Sequence, residues 1–259
     1  MAFIPYSRQQ IEQADIDAVV DVLKSDFLTQ GPAIDRFEAA FAERHQVAHA
    51  VAFCNATAAL HIACLAFGVG PGSRVWTSPN SFVASANCAL YCGAEVDFVD
   101  IDPACRNMSV ERLADKLEHA DKNGTLPDVV IPVDFSGMPC DLAEMRQLAD
   151  RYGFKILQDA SHATGAQYQG KPVGGQYADA TVFSFHAVKI VTSAEGGMVT
   201  TQDAGLAKTL GLLRSHGVTR DADLLEREPE GGWYYEQVDL GYNYRITDMQ
   251  AALGASQLE

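Results

Sequence analysis

Short apolar runs and helix-periodic segments alternate along most of the chain. The first apolar run, residues 47–53, is followed by TAALHIACLAF, in which apolar side chains recur every three or four positions. The predicted strands cover residues 47–53, 74–78, 95–100, 128–134, 154–158, 180–185 and 197–201. The predicted helices cover 57–67, 81–92, 109–121, 141–152 and 203–215. Strands separated by helices predict an α/β domain with a seven-stranded, mostly parallel sheet covered on both faces.

Three segments lie outside this alternation. Two helices are predicted around residues 10–24 and 33–44, separated by a break at Gly31-Pro32. Residues 220–237 are polar and Gly-rich before an aromatic cluster, which indicates a long excursion or lid; a disordered surface loop is the alternative. Thr247-Asp248 opens an amphipathic helix that runs to the end of the chain, where it would expose apolar surface unless something packs against it.

The composition excludes several classes of protein. The chain has 259 residues, 19 Lys plus Arg and 34 Asp plus Glu, and its net charge of −15 repels polyanions. We therefore expect neither a nucleic-acid partner nor a membrane-surface partner. The amino terminus has no secretory pattern and no window approaches 18 uninterrupted apolar residues, which predicts a cytoplasmic location. The six scattered cysteines are then expected to be reduced.

Three familiar motifs fail on inspection. Residues 68–73 resemble a dinucleotide fingerprint, but the third glycine is missing and the segment follows a helix, so a turn is expected. Residues 165–172 open like a P-loop, yet Pro172 replaces the hydroxyl residue. His45 and His49 have zincin spacing without its glutamate, so we expect a solvated helix end and no metal site.

Polar residues collect where predicted strands end, which is where parallel α/β sheets bind ligands. Asp159 ends one strand, and Ser184, His186 and Lys189 follow another. Taken singly, Asp159 is as readily a turn or helix cap, and Lys189 a solvated surface lysine. Together they place a carboxylate and an amine at neighbouring strand ends, and the glycine pair at 196–197 leaves room for a ligand.

This combination is typical of pyridoxal phosphate chemistry. Lys189 stands between apolar Val188 and Ile190, and desolvation lowers the pKa of an amine so that it can form a Schiff base. A carboxylate such as Asp159 keeps a pyridine nitrogen protonated and makes the ring an electron sink. The phosphate needs a helix N-terminus. Asn55-Ala56-Thr57 offers one, with Ser184 as a further donor, although Thr57 could equally be a plain helix cap.

A resemblance to a known family covers almost the whole chain. It is carried by FLTQGP, NATAALH, TSPNSFVASAN, QDASHATG, FSFHAVK, SAEGG, RSHG and GYNYRITDMQAALG, in that order. These segments resemble the nucleotide-sugar aminotransferases of the DegT family, which are fold-type I (aspartate aminotransferase-like) enzymes dependent on pyridoxal 5'-phosphate. YSRQQI, SFHAVK and WYYEQVDLGYNYR are most similar to the members of pseudaminic acid biosynthesis. Those members transfer an amino group from L-glutamate to the C4 keto group of a UDP-linked 4-keto-6-deoxy-N-acetylhexosamine.

The resemblance implies roles for individual residues. It makes Lys189 the Schiff-base lysine and Asp159 the partner of the pyridine nitrogen, both catalytic. Phe82 resembles the aromatic residue that stacks on the ring, and His162 a residue lying beside the ring or Asp159; a core Phe and a core His are the alternatives. The implied cofactor-binding set is Ala56, Thr57, Phe82, Asp159, His162, Ser184, Lys189 and Asn243.

The resemblance also carries expectations about assembly and extent. Asn243 corresponds to a residue that reaches the phosphate of a neighbouring subunit, which implies a homodimer with a shared active site. Arg245 could meet substrate or phosphate, with a surface ion pair as the alternative. Residues 1–259 would form the large domain, and the family's small C-terminal domain would be absent from this chain. One branch of the family has histidine in place of the Schiff-base lysine and catalyses dehydration. The presence of Lys189 therefore implies amino transfer.

Two other functions remain open from the sequence. The enzyme could use another nucleotide sugar, such as a dTDP-linked 4-ketosugar. The chain could also be a non-catalytic regulatory homologue that has kept the fold. Residues 220–237 are the candidate for part of the nucleotide or sugar contact.

Overall fold

The computed structural model describes residues 4–5 and 7–259, so Tyr6, which opens the YSRQQI segment, lies outside the described residues. The helices are α1 (Gln13–Leu23), α2 (Pro32–His45), α3 (Ala56–Ala66), α4 (Ala84–Tyr91), α5 (Val110–Asn123), α6 (Leu142–Tyr152), α7 (Ala204–Arg214) and α8 (Asp248–Leu258). The strands are β1 (His49–Phe53), β2 (Arg74–Thr77), β3 (Glu95–Phe98), β4 (Val129–Ile131), β5 (Lys155–Asp159), β6 (Gln167–Tyr168), β7 (Lys171–Pro172), β8 (Ala180–Ser184), β9 (Gly197–Thr201), β10 (Val218–Thr219) and β11 (Glu236–Gln237).

The seven predicted strands form one sheet. Its order is β1-β9-β8-β5-β4-β2-β3. The pairs from β8 to β3 are parallel, and β9 runs antiparallel between β1 and β8. The prediction of a mostly parallel seven-stranded sheet is therefore confirmed. Two short hairpins, β6 with β7 and β10 with β11, lie outside this sheet and were not predicted.

Helices cover both faces of the sheet, as expected for strands whose side chains alternate between faces. Val182 of β8 packs into one cluster with α3, α4 and α7, whereas the next residue, Phe183, packs into a second cluster with α2 and α8. A third cluster joins α5 and α6 to the sheet around Leu113 and Met145. The residues 68–73 and 165–172 form a turn and the β6–β7 hairpin, so neither motif is a phosphate loop.

The interpretation of His45 as a solvated helix end is wrong. Its side chain is buried, its ring stacks on Phe41 with a centroid distance of 4.2 Å, and its Nδ1 lies 2.6 Å from the carbonyl oxygen of Val173. Burial lowers the pKa of His45, so the neutral imidazole is favoured. The residue therefore belongs to the core under the sheet.

Helix α8 packs on α1 and α2, so the apolar face that the sequence left without a partner is covered. Its first residue, Asp248, is 1% exposed and accepts hydrogen bonds from the backbone N–H groups of Gly31 (2.8 Å) and Ala33 (3.0 Å). These groups lie at the start of α2, where helix geometry leaves N–H groups without intrahelical acceptors. One carboxylate of α8 thus caps α2, with the charge that the helix dipole favours.

Replacing Asp248 with alanine is expected to lower the free energy of unfolding by about 2–4 kcal/mol, because two N–H groups lose their acceptor in a buried setting. Asp26→Ala is the matched control, since its carboxylate is exposed between α1 and α2, and we expect a change within about 0.5 kcal/mol. Urea unfolding followed by circular dichroism measures both. Equal effects of the two substitutions would contradict the assigned role of Asp248.

The segment 220–237 consists of a mostly exposed excursion, residues 220–235, between the two strands of the β10–β11 hairpin, followed by β11 itself; the excursion contains a short 3-10 helix at Ala222–Leu224. The excursion is therefore structured rather than disordered over these elements. Within the described ranges, no helix is long and apolar enough to cross a bilayer. The cytoplasmic location stays a prediction.

Candidate active site

A cavity of about 830 Å³ lies at the carboxyl ends of β5 and β8, next to the start of α3. Seven of the eight residues in the predicted cofactor-binding set line it: Ala56, Thr57, Phe82, Asp159, His162, Ser184 and Lys189. A larger groove of about 1090 Å³ between α1, α2 and α8 contains none of them. The chemistry predicted from sequence therefore converges on one cavity, at the edge of the sheet where ligands bind in α/β folds.

Asp159 is held rigidly at the end of β5. Its side chain is 4% exposed, and its Oδ1 accepts hydrogen bonds from the backbone N–H (3.1 Å) and hydroxyl (2.6 Å) of Ser161. Its Oδ2 accepts from the hydroxyl of Ser85 on α4, at 2.7 Å. The bond to the Ser161 N–H is a turn contact, so the turn interpretation is confirmed, while the ligand interpretation stays a prediction. Asp159 forms no ion pair in the part of the chain that the structure describes.

Lys189 lies in the loop after β8 and faces the same cavity. Burial lowers the pKa of its amine, and the charge of Asp159 partly opposes this shift. The expected desolvation is confirmed, although Val188 is 44% and Ile190 67% exposed. Val188 is one of the residues that line the cavity, and the cavity wall as a whole removes water from the amine.

His162 and Phe82 complete the walls around the two reactive groups. Partial removal from water and the charge of Lys189 lower the pKa of His162, which favours a neutral imidazole. His162 is exposed toward the cavity and so is not the core histidine of the alternative interpretation. Phe82, in the loop before α4, is 74% exposed, which likewise excludes a core phenylalanine.

The start of α3 forms one corner of the cavity, with the geometry that suits an anion. Asn55 caps the helix by accepting a hydrogen bond from the N–H of Ala58 at 2.8 Å, while helix geometry gives the N–H groups of Ala56 and Thr57 no intrahelical acceptor. The positive end of the helix dipole points the same way. Ser184, buried at the end of β8, adds a hydroxyl to this corner.

The role expected for the glycine pair needs correction. Neither Gly196 nor Gly197 lines the cavity. A Cβ on Gly197 would lie 2.6 Å from the carbonyl carbon of Asn55 and 2.7 Å from the nitrogen of Ala56, closer than such atoms approach. Gly197 therefore makes room for the backbone at the start of α3 rather than for a ligand. A glycine at the start of a strand indicates that another segment of the chain approaches closely. The sequence could not show which segment this is, because Asn55 and Ala56 lie about 140 positions away from Gly197.

Replacing Gly197 with alanine is expected to push the start of α3 out of place and to weaken binding of a phosphate-bearing ligand by at least roughly tenfold, since ~1.4 kcal/mol of lost hydrogen bonding suffices. Gly211→Ala is the matched control, because a Cβ there meets nothing within 4 Å and its helix favours alanine. Isothermal titration with pyridoxal 5'-phosphate compares them. Unchanged affinity in the Gly197 variant would contradict the assignment.

Sequence reasoning missed three further residues that line the cavity, His61, Tyr91 and Tyr244. His61 lies on α3, burial lowers its pKa, and its Nδ1 is 3.4 Å from the hydroxyl of Tyr244. Tyr244 stacks on Tyr242 with a centroid distance of 5.0 Å. Since Tyr244 follows His61 by 183 positions, no local pattern could have joined them.

The remaining candidates do not line this cavity. Asn243 is exposed and bridges to Ser215, so its predicted contact with a neighbouring subunit remains a prediction. Arg245 forms no ion pair among the described residues, and residues 220–237 lie outside the cavity wall.

The site thus combines three chemical features: a half-buried amine of lowered pKa, a buried carboxylate with no ion-pair partner in the described region, and a helix start whose N–H groups are free to meet an anion. This combination suits a ligand with three matching groups: a protonatable ring nitrogen for the carboxylate, a carbonyl group for the amine and an anionic tail for the helix start. The described residues contain no group of three or more His, Cys, Asp or Glu that could hold a metal ion.

Comparisons with known proteins agree with this chemistry. The model of the DegT/DnrJ/EryC1/StrS aminotransferase family matches residues 9–259. The chain is 41% identical over 256 residues to UDP-4-amino-4,6-dideoxy-N-acetyl-beta-L-altrosamine transaminase of Campylobacter jejuni, covering 99% of this chain and 64% of that protein.

Two solved structures extend the comparison. Helicobacter pylori PseC, an aminotransferase involved in the biosynthesis of pseudoaminic acid, matches with a TM-score of 0.89 and 35% identity over 98% of this chain and 64% of its own. Spr1654 from Streptococcus pneumoniae in its PLP-form matches with a TM-score of 0.84 and 31% identity over 98% of this chain and 66% of its own. The chain therefore spans somewhat less than two thirds of the relatives it matches.

Proposed function

The chain belongs to the DegT/DnrJ/EryC1/StrS aminotransferase family, and from this premise we propose that it is the large domain of a nucleotide-sugar aminotransferase dependent on pyridoxal 5'-phosphate. The proposed reaction moves the amino group of L-glutamate to the C4 keto group of a UDP-linked 4-keto-6-deoxy-N-acetylhexosamine, as in pseudaminic acid biosynthesis. The observation that carries the proposal is the convergence of Lys189, Asp159 and the start of α3 on one cavity.

The names of the relatives support the substrate class. The Campylobacter jejuni relative is a transaminase of a UDP-linked 4-amino sugar, and the Helicobacter pylori relative acts in the biosynthesis of pseudoaminic acid. These names favour a UDP-linked sugar over the dTDP-linked alternative. The PLP-form of Spr1654 supports the cofactor.

The residues of the cavity fit this cofactor. The N–H groups of Ala56 and Thr57 and the hydroxyl of Ser184 would bind its phosphate. The Asp159 carboxylate has no cationic partner among the described residues and would pair with its ring nitrogen. Phe82 and His162 would flank its ring. When bound, pyridoxal 5'-phosphate supplies a carbonyl carbon that takes up amines and a ring that withdraws electrons from the bond being broken.

The protein's own groups then have distinct tasks. Asp159, fixed by Ser85 and Ser161, holds a proton on the ring nitrogen. Lys189, whose pKa is lowered by burial, would be the nucleophilic amine. Once free, it would move a proton from the Cα of glutamate to the former carbonyl carbon of the cofactor, and in the second half of the reaction it would move a proton from that carbon to C4 of the sugar. His162, favoured as the neutral imidazole, adds no second cation beside Lys189.

Assembly is part of the proposal. The active site is proposed to be shared in a homodimer, with Asn243 reaching the phosphate of the partner subunit. The exposed position of Asn243, outside the cavity of its own chain, supports this arrangement. L-glutamate as the amino donor is proposed from the family resemblance.

Turnover assays test the proposed function. The purified protein is incubated with pyridoxal 5'-phosphate, L-glutamate and either a UDP-linked or a dTDP-linked 4-ketosugar, and 2-oxoglutarate is measured. We expect release with the UDP-linked sugar and slower release with the dTDP-linked one. The reverse order would support the dTDP alternative. Cofactor binding with no turnover on either sugar would contradict the proposed activity of this chain.

A further inference from the structure

Asp134 is a buried carboxyl that lies one strand away from Asp159. It follows β4, is 0% exposed, and its backbone N–H donates to the carbonyl oxygen of Asp159 at 3.0 Å. Val133 bridges to Asp159 in parallel register, so the two aspartates terminate neighbouring strands. Asp134 does not line the cavity, and the proposed reaction leaves it without a role.

The hydrogen bonds of Asp134 are made to neutral groups. Its Oδ1 accepts from the backbone N–H of Cys140 at 3.0 Å, and its Oδ2 accepts from the Nε2 of Gln158 at 2.7 Å. Gln158 is itself held by the hydroxyl of Thr181, which donates to its Oε1 at 3.0 Å. Over the residues that the structure describes, Asp134 has no ion-pair partner.

The bond to Cys140 closes a loop that forms part of the cavity wall. Phe135, in this loop, lines the cavity. Ser136 and Gly137 adopt left-handed conformations, with φ of 54° and 85°, and a Cβ on Gly137 would lie 2.7 Å from the carbonyl oxygen of His162. The loop therefore packs directly on the backbone that carries His162.

Charge is the second link between Asp134 and the site. A carboxylate buried without a cation is costly, and a second negative charge beside Asp159 raises that cost. Burial raises the pKa of Asp134 from 3.8 to about 7; the hydrogen bonds from Cys140 and Gln158 partly oppose this shift, and the charge of Asp159 adds a small contribution to it. The thiol of Cys140 also faces it, and burial raises the pKa of that thiol so that it stays protonated. Cys105 and Asp141 are the other titratable groups near Cys140.

We propose that Asp134 is a positioning residue of the active site. Its carboxyl holds the loop 134–140 against His162, with Phe135 in the cavity wall. Below neutral pH it also carries a proton, so that two negative charges do not lie side by side at these strand ends. The positioning role rests on the proposed function, because it assumes that the cavity is the active site. The protonation of Asp134, in contrast, can be measured without the cofactor.

The test uses Asp134→Asn and Asp134→Ala. The asparagine can keep the network, because its carbonyl accepts from Cys140 while its amide donates to Gln158 after that side chain turns over, with Thr181 as the next partner. The alanine leaves the N–H of Cys140 and the amide of Gln158 without an acceptor. Asp141→Asn is the control, because it removes an exposed carboxylate at the start of α6.

Thermal unfolding of the protein without cofactor is measured from pH 4.5 to 8.5. Between the ordinary pKa of 3.8 and about pH 7 the native protein retains a proton that the unfolded chain has released, so the contribution of Asp134 to stability falls as pH rises toward about 7 and levels off above it. As pH rises toward about 7, we expect the unfolding temperatures of the parent and of Asp141→Asn to fall relative to the unfolding temperature of Asp134→Asn. Parallel profiles for the parent and Asp134→Asn would overturn the proposal.

Binding of pyridoxal 5'-phosphate is the second readout. At pH 6 we expect Asp134→Asn to bind within about threefold of the parent and Asp134→Ala at least tenfold more weakly. The absorbance of the bound cofactor should change with pH near 7 in the parent and not in the asparagine variant. Parent-like binding by the alanine variant would overturn the positioning role. If the parent itself bound no cofactor, the proposed function would fail, while the unfolding profiles would still decide whether Asp134 holds a proton.

Discussion

Replacing Lys189 with alanine is expected to reduce amino transfer by at least roughly 10⁴-fold, the upper end of what one positioned proton-transfer group contributes. The variant also loses the only reactive amine assigned to the cavity, so the bound cofactor should no longer give the absorbance of a lysine-linked species. Binding of the phosphate should persist, because the start of α3 and Ser184 are untouched.

The fold should survive this substitution. Lys189 forms no ion pair among the described residues, and a lysine whose pKa is lowered by burial destabilises the native state while it is charged. We therefore expect the unfolding temperature at pH 7 to stay the same or rise. Lys24→Ala, on the exposed end of α1, is the control and should keep full activity. A parent-like absorbance spectrum in the Lys189 variant would show that another amine holds the cofactor.

The sheet could be predicted because its signals are local. Five of the seven strands are followed along the chain by a helix, and several of these helices begin at a capping residue, as with Asn55 before α3 and Ser109 before α5. The direction of β9 is not local information. The connection from β8 to β9 contains no helix, and β9 turns back to pair antiparallel with both of its neighbours. The short hairpins were missed because strands of two residues leave no periodic pattern.

The acid and the amine of the site could also be predicted, because strand ends meet at one edge of a parallel sheet. The surroundings of these groups could not. The exposure of Val188 and Ile190, the burial of His45 and the contact between Gly197 and α3 all depend on chain segments far away in sequence. Asp134 shows the same limit, since its raised pKa arises from burial and from Asp159, neither of which its own strand reveals.

Replacing Asp159 with asparagine is expected to lower turnover by about 10- to 1000-fold while the cofactor still binds. A carboxylate within hydrogen-bonding range raises the pKa of a cationic group by about 1–3 units, and a neutral amide does not. The protonated fraction of the ring nitrogen therefore falls by about the same 10- to 1000-fold. The fold should be retained, since an amide oxygen can still accept from Ser85 or Ser161.

A cofactor methylated on its ring nitrogen separates charge from geometry in this variant. Its nitrogen is permanently positive, so it needs no carboxylate to hold a proton, and we expect it to restore part of the turnover of Asp159→Asn but none of that of Lys189→Ala. Steady-state turnover with L-glutamate and the UDP-linked 4-ketosugar measures both. Asp141→Asn, whose carboxylate is exposed on α6 and outside the cavity, should behave as the parent does. Full turnover of the Asp159 variant with the ordinary cofactor would mean that this carboxylate does not serve the ring nitrogen.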